Sequence, residues 1–264
     1  MKIIFSDLDG TLLNHQTYSY DAAEKALDLI KINDIPLIFC TSKTKSEIEY
    51  WREKIGNSHP FIAENGAAIY IPKQYFNAHF TAHKSTNQYD ILEFGTPVEY
   101  LVNIMNDLKT SFSIQSFHEM SPEEIAQDTG LDLSQAIRAK QRKYSIPFKS
   151  LKHQQEKRIL EEIKDHNLKC VIGGRYYHLM GNNSKGYAVN VITNQYKKSF
   201  HKTIISIGIG DSQNDFSMLD VVDKAYLVMK ENGTYASSGY HKAGAMGPKG
   251  WQKVIEKEFY CANG

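Results

Sequence analysis

The sequence predicts an α/β protein: a Rossmann-like, doubly wound parallel sheet built from both ends of the chain, with an α+β segment inserted between them. Three observations carry this. Short unbroken apolar runs, KIIFS at Lys2–Ser6, PLIFC at Pro36–Cys40 and TIISIGI at Thr203–Ile209, read as strands buried on both faces, as a parallel sheet requires. Helical periodicity falls between such runs, so strands and helices alternate. Between about residues 85 and 181 the rhythm breaks, and two consecutive strands meet at Gly173-Gly174 as a hairpin.

In chain order, the apolar side formed by Ala22, Ala23, Ala26, Leu27, Leu29 and Ile30 predicts a helix from about Tyr20 to Ile32. Thr44–Ile55 is a second helix, and His59–Ala63 and Ala67–Ile71 are strands around Glu64-Asn65-Gly66. The middle segment opens with a strand at Tyr89–Phe94 and a helix at Pro97–Leu108, with Thr96 as its N-cap and Pro97 at its first position. Helices follow at Ser121–Gln127, where Ser121-Pro122-Glu123-Glu124 makes a capping box, and at Leu133–Lys140. A strand near Lys143–Phe148, a helix near His153–Asp165 and the hairpin strands Lys169–Ile172 and Arg175–Met180 complete the segment. Strand and helix then alternate again: helix Ser184–Tyr196, strand Thr203–Ile209, helix Ser212–Leu219, strand Lys224–Val228 and helix Lys249–Phe259. The expected organisation is a core of residues 1–84 and 182–264 and an inserted domain of residues 85–181, with hinges near His83–Gln88 and Gly181–Ser184.

With 264 residues, 41% of them apolar, the chain can bury a substantial core. Its net charge of +1 gives no electrostatic footprint for nucleic acid or an anionic membrane. Cys40, Cys170 and Cys261 lie far apart with no CxxC pair, which argues against a disulfide framework or a structural zinc site. No stretch approaches the ~20 apolar residues of a membrane span, and the first apolar run is too short for a signal peptide. The expectation is a cytoplasmic protein whose partner is a small molecule; the oligomeric state is left open.

Two acidic clusters carry the chemistry. Asp7-Leu8-Asp9-Gly10-Thr11-Leu12-Leu13 directly follows the first strand, and Gly208-Ile209-Gly210-Asp211-Ser212-Gln213-Asn214-Asp215 ends another and opens a helix. Ligands of a parallel sheet gather at the carboxyl ends of its strands. There one carboxylate can attack phosphorus while its neighbour at i+2 protonates the leaving oxygen. Three carboxylates, Asp7, Asp211 and Asp215, offer the oxygen donors that Mg²⁺ prefers. Singly, each cluster has an ordinary explanation as an Asp-rich turn or a helix cap. That both follow buried strands near opposite ends of the chain is what those explanations leave out. Thr41-Ser42-Lys43 follows PLIFC, and Lys185 opens a helix where its ammonium can neutralise a phosphoryl oxygen.

In order, DLDGTLL, Thr41, Lys185 and GDSQND match four motifs of the haloacid dehalogenase superfamily, which the chain resembles at both ends. The resemblance implies that Asp7 is the nucleophile and Asp9 the general acid–base. It implies that Thr41 and Lys185 hold the phosphoryl group, with Ser42, Lys43 and Asn214 beside them. Mg²⁺ would be held by Asp7, Asp211, Asp215 and the backbone carbonyl of Asp9, and the insertion would be an α+β cap. Within this superfamily, CTSKT (40–44), ENGAAIYIP (64–72), RKYSIPF (142–148) and GGRYYHLMGNNSKGYAV (173–189) are similar to the mannosyl-3-phosphoglycerate phosphatases. Where the third stretch is associated with an acidic residue before proline, this chain has Ile146, so a glucosyl substrate stays open beside a mannosyl one.

That family's substrate is a phosphorylated sugar acid, for which Arg142 and Arg175 are candidate carboxylate ligands and Glu64 and Asn65 candidate sugar-hydroxyl ligands. His178 is a further candidate. On an unbroken strand it shares a face with Tyr176, while Arg175 shares the other with Tyr177. A phosphatase of sucrose phosphate or a hexose phosphate, a phosphomutase, and a non-catalytic sugar-phosphate sensor use the same framework. The sensor is disfavoured because Asp7, Asp9 and Lys185 are all present.

Overall fold

The computed structural model describes residues 1–173 and 176–259. The chain opens with β1 (Lys2–Ser6), α1 (Glu24–Ile32), β2 (Leu37–Phe39), α2 (Lys45–Ile55), β3 (Phe61–Ala63), β4 (Ala68–Pro72), β5 (Lys84–Ser85) and β6 (Tyr89–Glu93). There follow α3 (Val98–Ser111), β7 (Ile114–Ser116), α4 (Pro122–Thr129), α5 (Leu133–Lys140), β8 (Ser145–Ser150), α6 (Glu156–Asp165), β9 (Lys169–Gly173) and β10 (Tyr176–Met180). The last part holds α7 (Lys185–Phe200), β11 (Ile205–Gly210), α8 (Phe216–Leu219), β12 (Lys224–Met229), β13 (His241–Met246) and α9 (Gly247–Phe259). Among the described residues, no helix is long and apolar enough to cross a membrane.

The central sheet is parallel, in the order β13-β12-β11-β1-β2. Period-two alternation along its strands divides two cores. Ile4, Phe39, Ile207 and Ile209 pack with Ala26 and Ile30 of α1, Trp51 of α2 and Trp251 of α9. Ile3, Phe5, Ile38 and Cys40 face the other way, onto Ala188, Val189, Ile192 and Tyr196 of α7 and Met218 of α8. Helices on both faces make the sheet doubly wound, as the apolar runs predicted. Each large side chain so buried contributes about 1.5–3 kcal/mol.

Beyond β2, a parallel bridge between Cys40 and Ile62 leads to a second sheet, antiparallel, in the order β3-β4-β6-β5. The strand at Tyr89–Glu93 therefore exists but does not open the middle segment: β6 pairs with β4 along its whole length. The reason is its alternation, which buries Tyr89 and Ile91 against Phe61 and Tyr70. The hinge expected at His83–Gln88 accordingly falls within β5 and the turn to β6. The chain leaves this sheet at Gly95-Thr96 instead. A Cβ on Gly95 would collide with Ala67 and Tyr144, and one on Gly181 would collide with Thr96, so the outgoing and returning chains run in contact.

The segment between these glycines builds its own antiparallel sheet, β7-β8-β10-β9. One face packs Phe148 and Leu179 against Leu101, Ile104 and Met105 of α3 and Ile159 and Ile163 of α6. Helix ends follow their sequence: Thr44-x-x-Glu47, Ser121-x-x-Glu124 and Asp132-x-x-Gln135 all form capping boxes. The Thr96 cap does not form. Pro97 itself occupies the N-cap, with no side-chain cap bond, and Thr96 lies against Gly181.

Candidate active site

β1 delivers Asp7 to the carboxyl edge of the sheet, where its amide extends the ladder onto the Ile209 carbonyl (3.0 Å). Gly10 then turns at φ +73°, and a Cβ there would stand 3.0 Å from Asp211 Oδ2, so only glycine lets the two acidic loops close up. Gly210 plays the matching part, since a Cβ on it would strike Asp215. Asp7, Asp211 and Asp215 thereby bring carboxylate oxygens within 4.8 Å of one another.

Lys185, at the first turn of α7 and only 1% exposed, lies between two of them. Its ammonium donates to Asp7 Oδ1 at 2.9 Å and to Asp215 Oδ1 at 2.7 Å. Burial works against that charge, but Asp215 and Asp7 outweigh it and hold the ammonium firmly protonated. Asp215 Oδ2 accepts the amides of Asp211 (3.0 Å) and Ser212 (3.1 Å), so both its oxygens have partners and it fixes the loop as well as the lysine. Asn214 lies on the same turn, with its Oδ1 taken by Ser212 Oγ at 2.6 Å.

Asp9 faces a different lysine. Lys43 Nζ stands 2.9 Å from Asp9 Oδ1 and 3.4 Å from Glu47 Oε1. Asp9 keeps 31% of its side chain open, yet the packing around it raises its pKa above the usual carboxylate range. Lys43 opposes that rise and Asp7 adds to it. A carboxyl held high beside one that can attack is suited to giving up a proton. Thr41 is fully buried, its carbonyl accepting the Asn65 amide at 2.9 Å. Ser42 is half-buried and turns its carbonyl toward the inserted segment.

The structure gathers Asp7, Asp9, Thr41, Lys43, Lys185, Asp211, Asp215 and Asn214 at this edge. The residues expected to hold the sugar acid are placed differently. Glu64 accepts the Lys143 amide (2.9 Å), the Tyr144 amide (3.0 Å) and Ser145 Oγ (2.6 Å), so its carboxylate clasps the chain just before β8. Arg142 donates to the Ser42 carbonyl (3.0 Å), Ser145 Oγ (3.1 Å) and the Ala139 carbonyl (3.2 Å), which binds the inserted segment to the Thr41 loop. Both placements have one cause. Buried ionic groups take whatever polar partners the fold brings them, and here the fold brings two chain segments together. Asn65 is buried in a left-handed turn at φ 57°, and its side-chain amide lacks a hydrogen-bond partner. His178 is buried on the Tyr176 face of β10, as alternation predicted; Arg175 lies outside the described residues.

Two contributors went unseen in the sequence. Glu47 is legible as the last residue of the Thr44 capping box, but not as the partner of Lys43. Asn183 donates to the carbonyls of Glu64 (3.3 Å) and Asn65 (3.1 Å), fastening the loop before Lys185 to the β3–β4 turn. No local pattern announces that contact.

The pattern of known haloacid dehalogenase-like hydrolases matches residues 4–236 of the chain. The chain belongs to the haloacid dehalogenase-like hydrolases. It is 42% identical over 96% of its length to a glucosyl-3-phosphoglycerate/mannosyl-3-phosphoglycerate phosphatase of Methanococcoides burtonii, covering 95% of that protein. A mannosyl-3-phosphoglycerate phosphatase of Pyrococcus furiosus is 34% identical over 86% of the chain and 91% of its own length. Among solved structures, a haloacid dehalogenase-like hydrolase from B. subtilis superposes with a TM-score of 0.66 at 19% identity, over 97% of this chain and 98% of that one. This hydrolase is thus a phosphoric monoester hydrolase by kinship, on the fold its sequence predicted.

Hydrolases of this family generally use a divalent metal, and the residues of this one fit such an ion. Asp7, Asp211 and Asp215 gather around one buried ammonium, that of Lys185, and three carboxylates against one cation leave a deficit of two positive charges that one divalent cation makes good. The cluster of oxygens spans little more than the ~4 Å across an ion with ~2.1 Å bonds. Without a cation the crowding is costly. Burial, together with Asp215 and Asp7, raises the pKa of Asp211; burial and Asp7 raise that of Asp215 against the pull of Lys185. A carboxyl raised in the folded state keeps a proton that the unfolded chain has lost. Its contribution to stability is therefore greatest below the unfolded value of ~4 and declines as pH climbs through the folded value. A bound divalent cation relieves that loss. The rise in Tm on adding excess Mg²⁺ to chelator-treated protein should be small near pH 5 and grow toward pH 8. Thermal melts across that range check this; a shift that is flat, or larger in acid, would contradict it.

Proposed function

We propose that this hydrolase is a Mg²⁺-dependent phosphomonoesterase that cleaves a glycosyl-3-phosphoglycerate, mannosyl or glucosyl, to the glycosyl-glycerate and phosphate. The observation that carries it is 42% identity along 96% of the chain to a phosphatase named for both esters. It is supported by an acidic edge with one carboxylate held by a buried lysine and a second with its pKa raised.

In this reading Asp7 attacks phosphorus through a carboxylate oxygen. As the O–P bond forms, the ester P–O bond breaks, and Asp9 gives its proton to the leaving alkoxide. Water then attacks the aspartyl phosphate, Asp9 takes the water's proton, and phosphate departs from Asp7. Lys185 holds Asp7 in place through its 2.9 Å bond, and it shares charge with the phosphoryl oxygens as they crowd in. Thr41, Ser42 and Asn214 offer hydroxyl, amide and carboxamide donors to the same oxygens. Asp7, Asp211, Asp215 and the Asp9 carbonyl would hold Mg²⁺, which would supply neutralising positive charge when bound. Residues between Gly95 and Gly181 act as a lid over the edge, with Arg175 and His178 as its candidates for contacting the sugar acid.

Phosphate release should be measured with mannosyl- and glucosyl-3-phosphoglycerate, sucrose phosphate and hexose phosphates, each with Mg²⁺ and with chelator. The glycosyl-phosphoglycerates should show the highest kcat/KM, and chelator should abolish turnover. Faster turnover of a hexose phosphate would overturn the substrate, and rescue by zinc but not magnesium would overturn the metal.

A further inference from the structure

Four charged side chains form an unbroken line from the inserted segment to the acidic edge. Arg142 Nη2 lies 3.9 Å from Glu47 Oε2, Glu47 Oε1 lies 3.4 Å from Lys43 Nζ, and Lys43 Nζ lies 2.9 Å from Asp9 Oδ1. Three of the four are largely shielded from water: the side chains of Arg142 and Glu47 are each 9% exposed and that of Lys43 7%. Lys43 thus stands between two carboxylates that compete for one ammonium. Arg142 decides the competition by taking up part of the Glu47 charge, which leaves Lys43 with Asp9. Burial would raise the pKa of Glu47, but Lys43 and Arg142 pull it below the usual range, so it stays ionised between two cations. Arg142 reaches this place only because the segment carrying it is docked, through its bond to the Ser42 carbonyl and the Glu64 clasp on residues 143–145. Thr44 Oγ1 adds a further tie, donating to the Arg138 carbonyl at 2.9 Å.

We infer that Arg142 is a positioning residue for Asp9, acting through Glu47 and Lys43, so that docking of the inserted segment and orientation of the acid–base carboxyl are one event. The inference rests on Asp9 protonating the leaving group. With the segment undocked, Lys43 moves toward Glu47 and Asp9 loses the contact that aims it. A poised phosphomonoesterase without its lid would then cleave poor leaving groups slowly, because the alkoxide finds no proton.

The experiment uses two phosphate esters on the full-length protein with Mg²⁺. p-Nitrophenyl phosphate expels a stable phenolate and gains little from a proton donor, whereas an alkyl ester such as glycerol 3-phosphate needs one. The rate read is that of the first turnover, the burst of alcohol or phenolate that precedes hydrolysis of the aspartyl phosphate, because Asp9 also acts as base in that later step on either ester. Arg142→Gln and Glu47→Gln should each lower the burst rate on the alkyl ester by about 10- to 100-fold, a fraction of what general acid catalysis supplies. They should lower the burst rate on the aryl ester by less than about threefold, with KM little changed on either. The aryl rate also reports that each variant has folded. The double variant should lose no more than the worse single one, since both act on one line. Asp9→Asn is the control. If it slows the alkyl ester selectively and Arg142→Gln does not, the inference falls and the role of Asp9 stands. If Asp9→Asn slows both esters alike, the acid–base reading fails and the inference falls with it. Equal losses on both esters in Arg142→Gln would make the arginine a structural tie, and a raised KM confined to acid-bearing substrates would make it a ligand.

Discussion

Replacing Asp7 by Asn should lower phosphate release by at least about 10⁴-fold while leaving the fold intact. The substitution keeps size and shape but removes the oxygen proposed to attack phosphorus, and no neighbour is placed to take over: Asp215 has both oxygens occupied, by Lys185 and by two amides. Losses of this size are normal when a group that forms a covalent intermediate is removed. Stability should hold or rise, because one of several crowded carboxylates loses its charge. Steady-state turnover and mass spectrometry of acid-quenched enzyme check both halves of the argument. The parent protein should carry phosphate on the peptide containing Asp7, and the variant should carry none. A residual rate within about tenfold of the parent would remove Asp7 from the mechanism.

Lys185→Met should damage stability and activity together. The ammonium is 1% exposed and donates to Asp7 and Asp215 at 2.9 and 2.7 Å. Methionine fills much of the space but leaves two buried carboxylates facing each other. Breaking a buried ion pair by removing one partner costs about 3–5 kcal/mol, or a drop in Tm of roughly 10 °C for a chain of this size. Because the damage is surplus negative charge, it has a distinctive signature. Excess Mg²⁺ should recover part of the lost Tm, and the deficit should shrink toward pH 5 as Asp211 and Asp215, whose pKa values are raised, take up protons. Activity should stay depressed by about 10³-fold even with metal, since a phosphoryl group arriving at the site no longer meets the cation. Melts in chelator and in Mg²⁺ at two pH values test this. A variant as stable as the parent in chelator would show that Lys185 does not balance the acidic edge.

Much of this protein is written in its sequence by local rules. Unbroken apolar runs gave four of the five parallel strands, because a strand buried on both faces has no polar side to show, whereas the edge strand β13, largely exposed, carries no such run. The Thr44, Ser121 and Asp132 capping boxes mark helix starts in a few residues. The two acidic loops could be placed at one edge because strand ends and turn glycines are local features, and Gly10 and Gly210 are where the loops meet. Strand partners could not be assigned this way. β6 has the alternation of any half-buried strand, and only tertiary packing of Tyr89 and Ile91 on Phe61 and Tyr70 joins it to β4 rather than to the inserted sheet. Polar partners were equally out of reach. Arg142 and Glu64 resemble ligands in sequence, but each is a charged group beside an interface, and a buried charge takes the nearest oxygen or amide that the packed chain presents. Local periodicity and turn chemistry therefore settled most of the strands, most of the helix starts and the acidic edge, while β5, β7 and β13 and the start of α3 escaped them. The tertiary structure alone decided which charges meet across the two parts of the chain, because those contacts join residues 79 to 100 positions apart.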